Sequence, residues 1–468
     1  MNSPISYFST NQTGSPVSNQ SCDFREALFR GLAPDDGLYI FDQIPHISPS
    51  QLSDLRQVPY ADLAYYILNL FLETELDSAT LKKLCQEAYG ASEKWPSGVS
   101  IPIKELDKYT YLASLDRGPT ASFKDFAAQL MARLFSHYLS DTSDTLRILV
   151  ATSGDTGSAI GEAFRGIKGT EVYILYPRLE VSPVQKQQLE GIGENVFTLC
   201  IDGKFDDCQS IVKEAFLDPA LDTFNLTSAN SINIGRLLPQ VVYYFYIYLQ
   251  LSQENEPLVV SVPSGNLGNS LAGEIARRMG LPLEKILIAT NQNKAFPKFL
   301  NEGDYQPIRP SLKCVSNAMN VGNPSNLARF FHLYQGQVDR MGNIRQEPDL
   351  EEMRQNLVGY SFTDEETRRG IKDLYHNFQL ISEPHTSIAF LALRQFQESF
   401  GSHPPKGVCL GTAHPAKFPE VVLETLGLAP ESSPSLSRLH RRDLPVQSLP
   451  ASYASFRDYL KEKVNSSN

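Results

Sequence analysis

A lysine in the first turn of a helix stands where positive charge is least welcome, and this chain has one in a suggestive setting. The segment Gly118-Pro119-Thr120-Ala121-Ser122-Phe123-Lys124-Asp125-Phe126 opens with Gly-Pro turn chemistry. An apolar stripe of Phe123, Phe126, Ala127, Leu130, Met131, Leu134, Phe135 and Tyr138 follows at helical spacing. Thr120 or Ser122 is available as its cap. The helix dipole is positive at that end, so it favours the neutral amine of Lys124. A neutral amine is the form that makes a Schiff base with a carbonyl. The plainer alternative is a solvated surface lysine, which describes most lysines taken singly.

Four further segments carry polar groups in patterns that suit a ligand. Ala151-Thr152-Ser153-Gly154-Asp155-Thr156-Gly157 lies between a strand pattern and a helix pattern. Hydroxyls and backbone N–H groups gathered at a helix start make an anion site. Pro263-Ser264-Gly265-Asn266-Leu267-Gly268-Asn269 has two glycines that let backbone approach a ligand. It is neither a triphosphate loop nor a dinucleotide fingerprint, and it suits a monophosphate. Ser228-Ala229-Asn230-Ser231-Ile232-Asn233-Ile234-Gly235-Arg236 ends on a fixed cation that can clamp a phosphate. Gly411-Thr412-Ala413-His414-Pro415-Ala416-Lys417 offers a hydroxyl that could meet a ring nitrogen. Each also has an ordinary reading: polar turns and caps for the first three, and for the last a loop with His414 and Lys417 at the surface.

The elements around these loops decide between the readings. Apolar, β-rich runs occur at Arg147 to Ala151, Glu171 to Tyr176, Val196 to Ile201, Leu258 to Val262, Lys285 to Ala289 and Gly407 to Leu410. Helical patterns such as Gly157 to Phe164 and Asp206 to Phe216 separate them. The alternation predicts an α/β fold of open, mostly parallel sheets with helices on both faces. Such sheets bind ligands at the carboxyl ends of their strands, which is where the candidate loops fall. Earlier in the chain, Tyr60 to Leu72 and Ser78 to Tyr89 read as helices. The predicted organisation is an N-terminal subdomain at 1–97 and a core at 98–293, with a smaller α/β subdomain at about 125–225. A peripheral helical subdomain at 294–379, a return to the core at 380–428 and a peripheral or partly mobile tail at 429–468 complete it.

Composition narrows the function classes. A net charge of −11 disfavours nucleic acid and anionic membranes as general partners. No apolar run approaches the roughly 18 residues of a membrane span; the nearest, Val241 to Leu251, is broken by Gln250 and reads as a buried helix. Met1 to Asn19 is polar, without the pattern of a signal peptide. The six cysteines form no CxxC pair, so no metal or disulfide framework is expected and a cytoplasmic setting is simplest.

Seven motifs occur in order: GPTxxFKDF, ATSGDTG, ILYPR followed by SPVQ, TSANSINIGRL, VSVPSGNLG, SEPH and GTAHPAKF. Together with the opening Tyr7-Phe8-Ser9-Thr10-Asn11 and Gly37-Leu38-Tyr39, they resemble the threonine synthases. These belong to the tryptophan-synthase-β-like class, fold type II, of pyridoxal-phosphate enzymes. The resemblance runs to about Phe418, hence over most of the chain. It implies that Lys124 holds pyridoxal 5'-phosphate as a Schiff base. It implies that Gly265, Asn266, Leu267, Gly268 and Asn269 cradle the cofactor phosphate and that Thr412 meets the pyridine nitrogen. Ser153, Asp155 and Thr156 would lie beside the substrate carboxylate, with Asn230, Ser231, Asn233 and Arg236 as further substrate contacts. The implied reaction converts O-phosphohomoserine and water to threonine and phosphate, in a monomer or homo-oligomer.

Some positions depart from the family pattern. Asp116-Arg117 replaces a Phe-His pair, Ala121-Ser122 replaces a larger residue and Ala, and Leu267 and Asn269 replace Phe and Asp. These changes leave two rivals standing: a phospholyase that releases 2-oxobutyrate, and a non-catalytic homologue that binds a phosphorylated amino acid.

Overall fold

Strands buried on both faces read as continuous apolar runs rather than alternating ones. Leu146–Ala151, Leu258–Pro263 and Gly407–Gly411 read that way and are buried along their whole length. The computed structural model describes residues 4–12, 21–253, 256–438 and 444–467. Its six-stranded sheet runs in the order Leu357–Ser361, Leu283–Thr290, Leu258–Pro263, Gly407–Gly411, Thr110–Ser114 and Ile103–Asp107. Neighbours are parallel except for the last pair, an antiparallel hairpin. A five-stranded sheet, parallel throughout, has the order Gln447–Pro450, Val196–Asp202, Thr170–Pro177, Leu146–Ala151 and Leu226–Ser228. Each β-rich run expected from the sequence lies inside one of these strands, and the helices Tyr60–Leu72 and Ser78–Tyr89 form as read.

Successive strand residues feed opposite faces of the large sheet. Val260, Val262, Ile288, Val408 and Leu410 join the main core with Leu271 and Ile275 of the helix Gly268–Arg278. Leu112, Val259, Leu287 and Cys409 face the other way, against Phe390 and Leu393 of the helix Pro384–Glu398. The helix Lys124–Leu139 packs against the helices Asp155–Phe164 and Ile234–Leu251. Asp125 to Ala132 are all buried in it, so it is covered all round rather than along one stripe. Among the described residues, no helix is long and apolar enough to cross a membrane.

Two segments are more integrated than their composition suggested. Within 294–379, the strand Leu357–Ser361 extends the edge of the large sheet. It was masked by its shortness and by Gly359, whose absent side chain lets Pro297 pack against it; a Cβ there would lie 2.6 Å from Pro297 Cα. Beyond Pro430, the described tail residues are tied in rather than loose. Gln447–Pro450 pairs with Val196–Asp202, and Leu449, Phe456 and Leu460 are buried with Phe205, Ile211 and Val212. The Ser-Pro-Arg composition hid these few apolar anchors. If they hold the tail as a structural part, Phe456→Ala will lower unfolding free energy by about 3–5 kcal/mol, measured by urea denaturation.

Candidate active site

Lys124 owes its direction to a loop stitched onto the end of the strand Gly407–Gly411. Leu115 N donates to Gly411 O at 2.8 Å and Phe123 N to Thr412 O at 2.9 Å. Inside the loop, Thr120 donates through its backbone N–H (2.9 Å) and hydroxyl (2.7 Å) to the two oxygens of Asp125. Gly118 is needed because that carboxylate presses on it: a Cβ would lie 2.4 Å from Asp125 Oδ2. Burial pushes the Asp125 carboxyl up to about 6. Of the two expected caps, Ser122 accepts from Lys124 N at 3.3 Å, whereas Thr120 serves Asp125.

The Lys124 amine is nearly sealed off, with its side chain 14% exposed and Nζ 3.6 Å from Asp155 Oδ2. Its ammonium form is disfavoured. Burial is the main cause, the Lys417 and Arg236 charges add to it, and Asp155 opposes it. The sequence pointed to the helix dipole; burial and neighbouring cations are what the structure supplies.

Asp155 begins the helix Asp155–Phe164 behind a strained turn, Gly154 at φ 128°. Gln185 fills the space a side chain at 154 would need, since a Cβ would lie 2.4 Å from Gln185 Cδ. Asp155 Oδ1 accepts from Lys417 Nζ at 2.8 Å and from Gln185 Nε2 at 2.9 Å. Burial alone would raise the Asp155 carboxyl, but Lys417 and then Lys124 hold it well below the usual carboxylate range. Thr152 Oγ1 accepts from the N–H groups of Gly154 and Gly157, which closes the turn and leaves Ser153 and Thr156 on the cleft wall.

One cleft of about 850 Å³, open mouth included, collects these groups. Lys124, Ser153, Asp155, Thr156, Asn230, Ser231, Arg236, Thr412 and the whole run Gly265 to Asn269 line it. Asn233 does not. Its amide caps the helix Ile234–Leu251, donating to Leu28 O and Ser228 O and accepting from Gly235 N, so it supports the loop while its neighbours line the cleft. Asn230 lines the cleft while bonding both the N–H and the C=O of Ala151, which ties the substrate loop to the neighbouring strand.

The cradle fits a phosphate. Leu267 adopts φ 63°, which turns the chain into the helix Gly268–Arg278, whose first N–H groups have no helical partner. Gly265 is pinned under the segment that follows Ser316, as a Cβ would lie 2.7 Å from Ala318 O. Asn269 Oδ1 accepts from the hydroxyls of Tyr243 (2.6 Å) and Tyr244 (2.8 Å). This orients its Nδ2, a buried donor without a protein partner. Arg236 donates to Ala229 O at 2.6 Å and keeps a second buried donor, Nε, unpartnered. Burial lowers its guanidinium to about 10, which leaves it charged. Among the described residues Asp155 is the only carboxylate on the cleft wall, and Lys417 neutralises it. Unpartnered buried donors and a cation on residues that line a cleft whose one acid is neutralised suit a phosphorylated cofactor and an anionic substrate.

The structure adds residues that sequence reasoning passed over. Lys417, read as a surface residue, has a 0% exposed side chain and donates to Thr120 O at 3.0 Å as well as to Asp155. His414 is partly buried, and burial with the Arg117 and Lys417 charges lowers it to about 4. His385 lines the cleft, with Nδ1 against Glu383 and Nε2 accepting from Ala318 N at 3.2 Å. The SEPH motif was its signal. Arg329 is fully buried and binds the carbonyls of Tyr39, Ser231 and Ile232, clamping the 228–236 loop to the N-terminal strand Tyr39–Phe41. Of the departures from the family pattern, Asp116, Arg117, Ala121 and Ser122 lie off the cleft wall, whereas Leu267 and Asn269 are on it.

Comparisons with known proteins place the chain in a family. Residues 6–89 match the threonine synthase N terminus, 103–410 the pyridoxal-phosphate dependent enzyme family and 386–460 the threonine synthase C-terminal family. Threonine synthase of Escherichia coli is 36% identical, covering 94% of this chain and 97% of its own. That of Serratia marcescens is 37% identical with the same coverage. A crystal structure of pyridoxal-phosphate-bound threonine synthase from Brucella melitensis superposes with a TM-score of 0.87 at 33% identity, covering 98% of this chain and 99% of the other. The chain therefore belongs to the threonine synthase family of pyridoxal-phosphate-dependent enzymes.

Proposed function

We propose that this enzyme converts O-phospho-L-homoserine and water to L-threonine and phosphate. The observation that carries the reading is the pairing, in one cleft, of a sealed-off lysine with two separate phosphate-binding groups, the 265–269 cradle and Arg236. One suits the cofactor phosphate and the other the phosphate that leaves. A phosphorylated amino acid also needs a carboxylate site. The hydroxyls of Ser153 and Thr156 at a helix start provide it, because Asp155 beside them is turned to Lys417.

In this reading Lys124 holds pyridoxal phosphate through its amine, Gly265 to Asn269 hold the phosphate and Thr412 faces the pyridine nitrogen. When bound, the cofactor supplies an electron sink for charge that develops next to the substrate amine. Released from the cofactor, Lys124 Nζ takes the proton from substrate Cα and returns protons in later transfers. Arg236, with Asn230 and Ser231, holds the phosphate at the γ-carbon and receives its charge as it departs. Arg329 keeps that loop in place through the Ser231 and Ile232 carbonyls. All six cysteines are free, which accords with a cytoplasmic setting. The position of Asp116, Arg117, Ala121 and Ser122 off the cleft wall favours threonine over the phospholyase product.

Incubation with O-phosphohomoserine is expected to give threonine and phosphate in equal amounts; 2-oxobutyrate as the main product would move the enzyme to the rival reaction. Lys124→Ala should lose the absorption of the bound cofactor and at least roughly 100-fold of turnover. Arg236→Met should raise KM for the phosphorylated substrate roughly 10- to 100-fold, the worth of one charge-assisted contact, with cofactor absorbance retained. Gly265→Ala forces a clash with Ala318 O and should weaken cofactor retention on dialysis.

A further inference from the structure

Lys417 is a second lysine inside the site, and none of the roles assigned above uses it. Its side chain is fully buried, yet it lies in a three-residue turn, Pro415–Lys417, after a sheet strand. Its amine is held by Asp155 Oδ1 at 2.8 Å and Thr120 O at 3.0 Å. Asp155 is fixed in turn by Gln185, whose Oε1 accepts from Asn317 Nδ2 at 2.9 Å. The other oxygen of the same carboxylate faces Lys124 Nζ at 3.6 Å. One carboxylate therefore stands between two lysines, closer to the one that does no chemistry.

We propose that Lys417 is a positioning residue for the reaction at Lys124: its ammonium group holds the Asp155 carboxylate, so that the carboxylate does not keep Lys124 as a permanent ion-pair partner. The proposal rests on the reading of Lys124 as the cofactor-bearing amine and proton carrier. A buried carboxylate facing a single lysine would stabilise its ammonium form strongly. With Lys417 as its counter-charge, Asp155 offers Lys124 an oriented but largely neutralised acceptor. The charged and titratable groups around the pair are Asp125 on the lysine's own helix, Arg236 on the helix Ile234–Leu251, His385 across the cleft and His414 beside Lys417. Among the described residues none of these four bonds the Asp155 carboxylate, which is held by Lys417 and Gln185 and faces Lys124.

The test is a pH titration of cofactor absorbance in the holoenzyme. Lys417→Met should move the midpoint upward by roughly 1–3 pH units and lower kcat at neutral pH at least about tenfold, with KM nearly unchanged. Lys417→Arg keeps the charge and should restore most of the wild-type midpoint. A folded, loaded Lys417→Met with an unchanged midpoint overturns the proposal and leaves Lys417 a mere tie between loops. If the unpaired buried Asp155 prevents folding, Lys417→Gln, which keeps a hydrogen-bond donor for the Asp155 carboxylate but no charge, takes its place. Removing the Lys417 charge must again raise the midpoint, and no rise overturns the proposal. Lys124→Ala, run alongside, separates the failures. If it abolishes the titrating band while Lys417→Met shifts nothing, only the Lys417 inference falls. A band that survives Lys124→Ala sinks the assignment of Lys124 itself.

Discussion

A lysine amine serves as nucleophile and base near neutral pH only where its ammonium form is held at a disadvantage. Everything around Lys124 bears on that constraint. Desolvation supplies the largest push, and the cations Lys417 and Arg236 reinforce it. The helix start adds a field of the same sign. Against these stands one carboxylate, Asp155, whose pull is shared with a closer lysine. The loop from Gly118 to Asp125 exists to deliver the amine to this place: Gly118 yields room to a carboxylate, and Thr120 locks it.

The second constraint is to keep two anion-binding loops at a fixed separation. One leaves the large sheet after Pro263 and the other leaves the small sheet after Ser228. Asn326 donates to Ser231 O and to Asn266 O, joining the loops directly. Arg329 accepts no compromise partner: it spends its donors on Tyr39 O, Ser231 O, Ile232 O and Asn326 Oδ1, with no carboxylate in ion-pair contact among the described residues. A fully buried guanidinium is expensive, and burial lowers it to about 9. Its position behind the loop of Asn230, Ser231 and Arg236 makes sense of that cost if, as proposed, that loop takes a phosphate, whose charge would offset the unpaired cation. The same clamp ties the N-terminal antiparallel strand pair, Tyr7–Ser9 with Tyr39–Phe41, to the loop that lines the cleft.

What could be read from the chain was whatever is encoded locally. Three strands of each sheet are unbroken β-rich runs. The cradle is marked by Gly265 and Gly268, and Lys124 sits in a short motif with its own turn and helix signals. Groups defined by distant partners were not readable. Lys417 in a Pro-rich loop looks like any solvated lysine, and only the arrival of Asp155 from another sheet makes it a buried cation. Asn230 and Asn233 share one loop and one chemistry, but backbone direction sends the first to the cleft and the second under a helix end. The tail was misjudged because its Ser-, Pro- and Arg-rich start outweighed Tyr453, Phe456, Leu460 and Val464, which recur at helical spacing in the helix Tyr453–Ser467. Leu357–Ser361 was missed because five residues with a central glycine are too short to tell from loop.

The proton count of the site follows from an asymmetry between its lysines. Two buried lysines and one buried carboxylate can hold one ammonium comfortably, and the geometry decides which lysine carries it. Lys417 Nζ has two acceptors at 3.0 Å or less and no solvent exposure, so its donors are engaged within the protein. Lys124 Nζ has its nearest carboxylate oxygen at 3.6 Å, lies over the Phe123 ring at 4.8 Å and opens on the cleft. A proton on Lys124 is therefore the one that can leave and return. Removing Asp155 would free both amines to repel, and removing Lys417 would bind the remaining charge to Lys124. Only the three together leave a mobile proton on the lysine that faces the ligand.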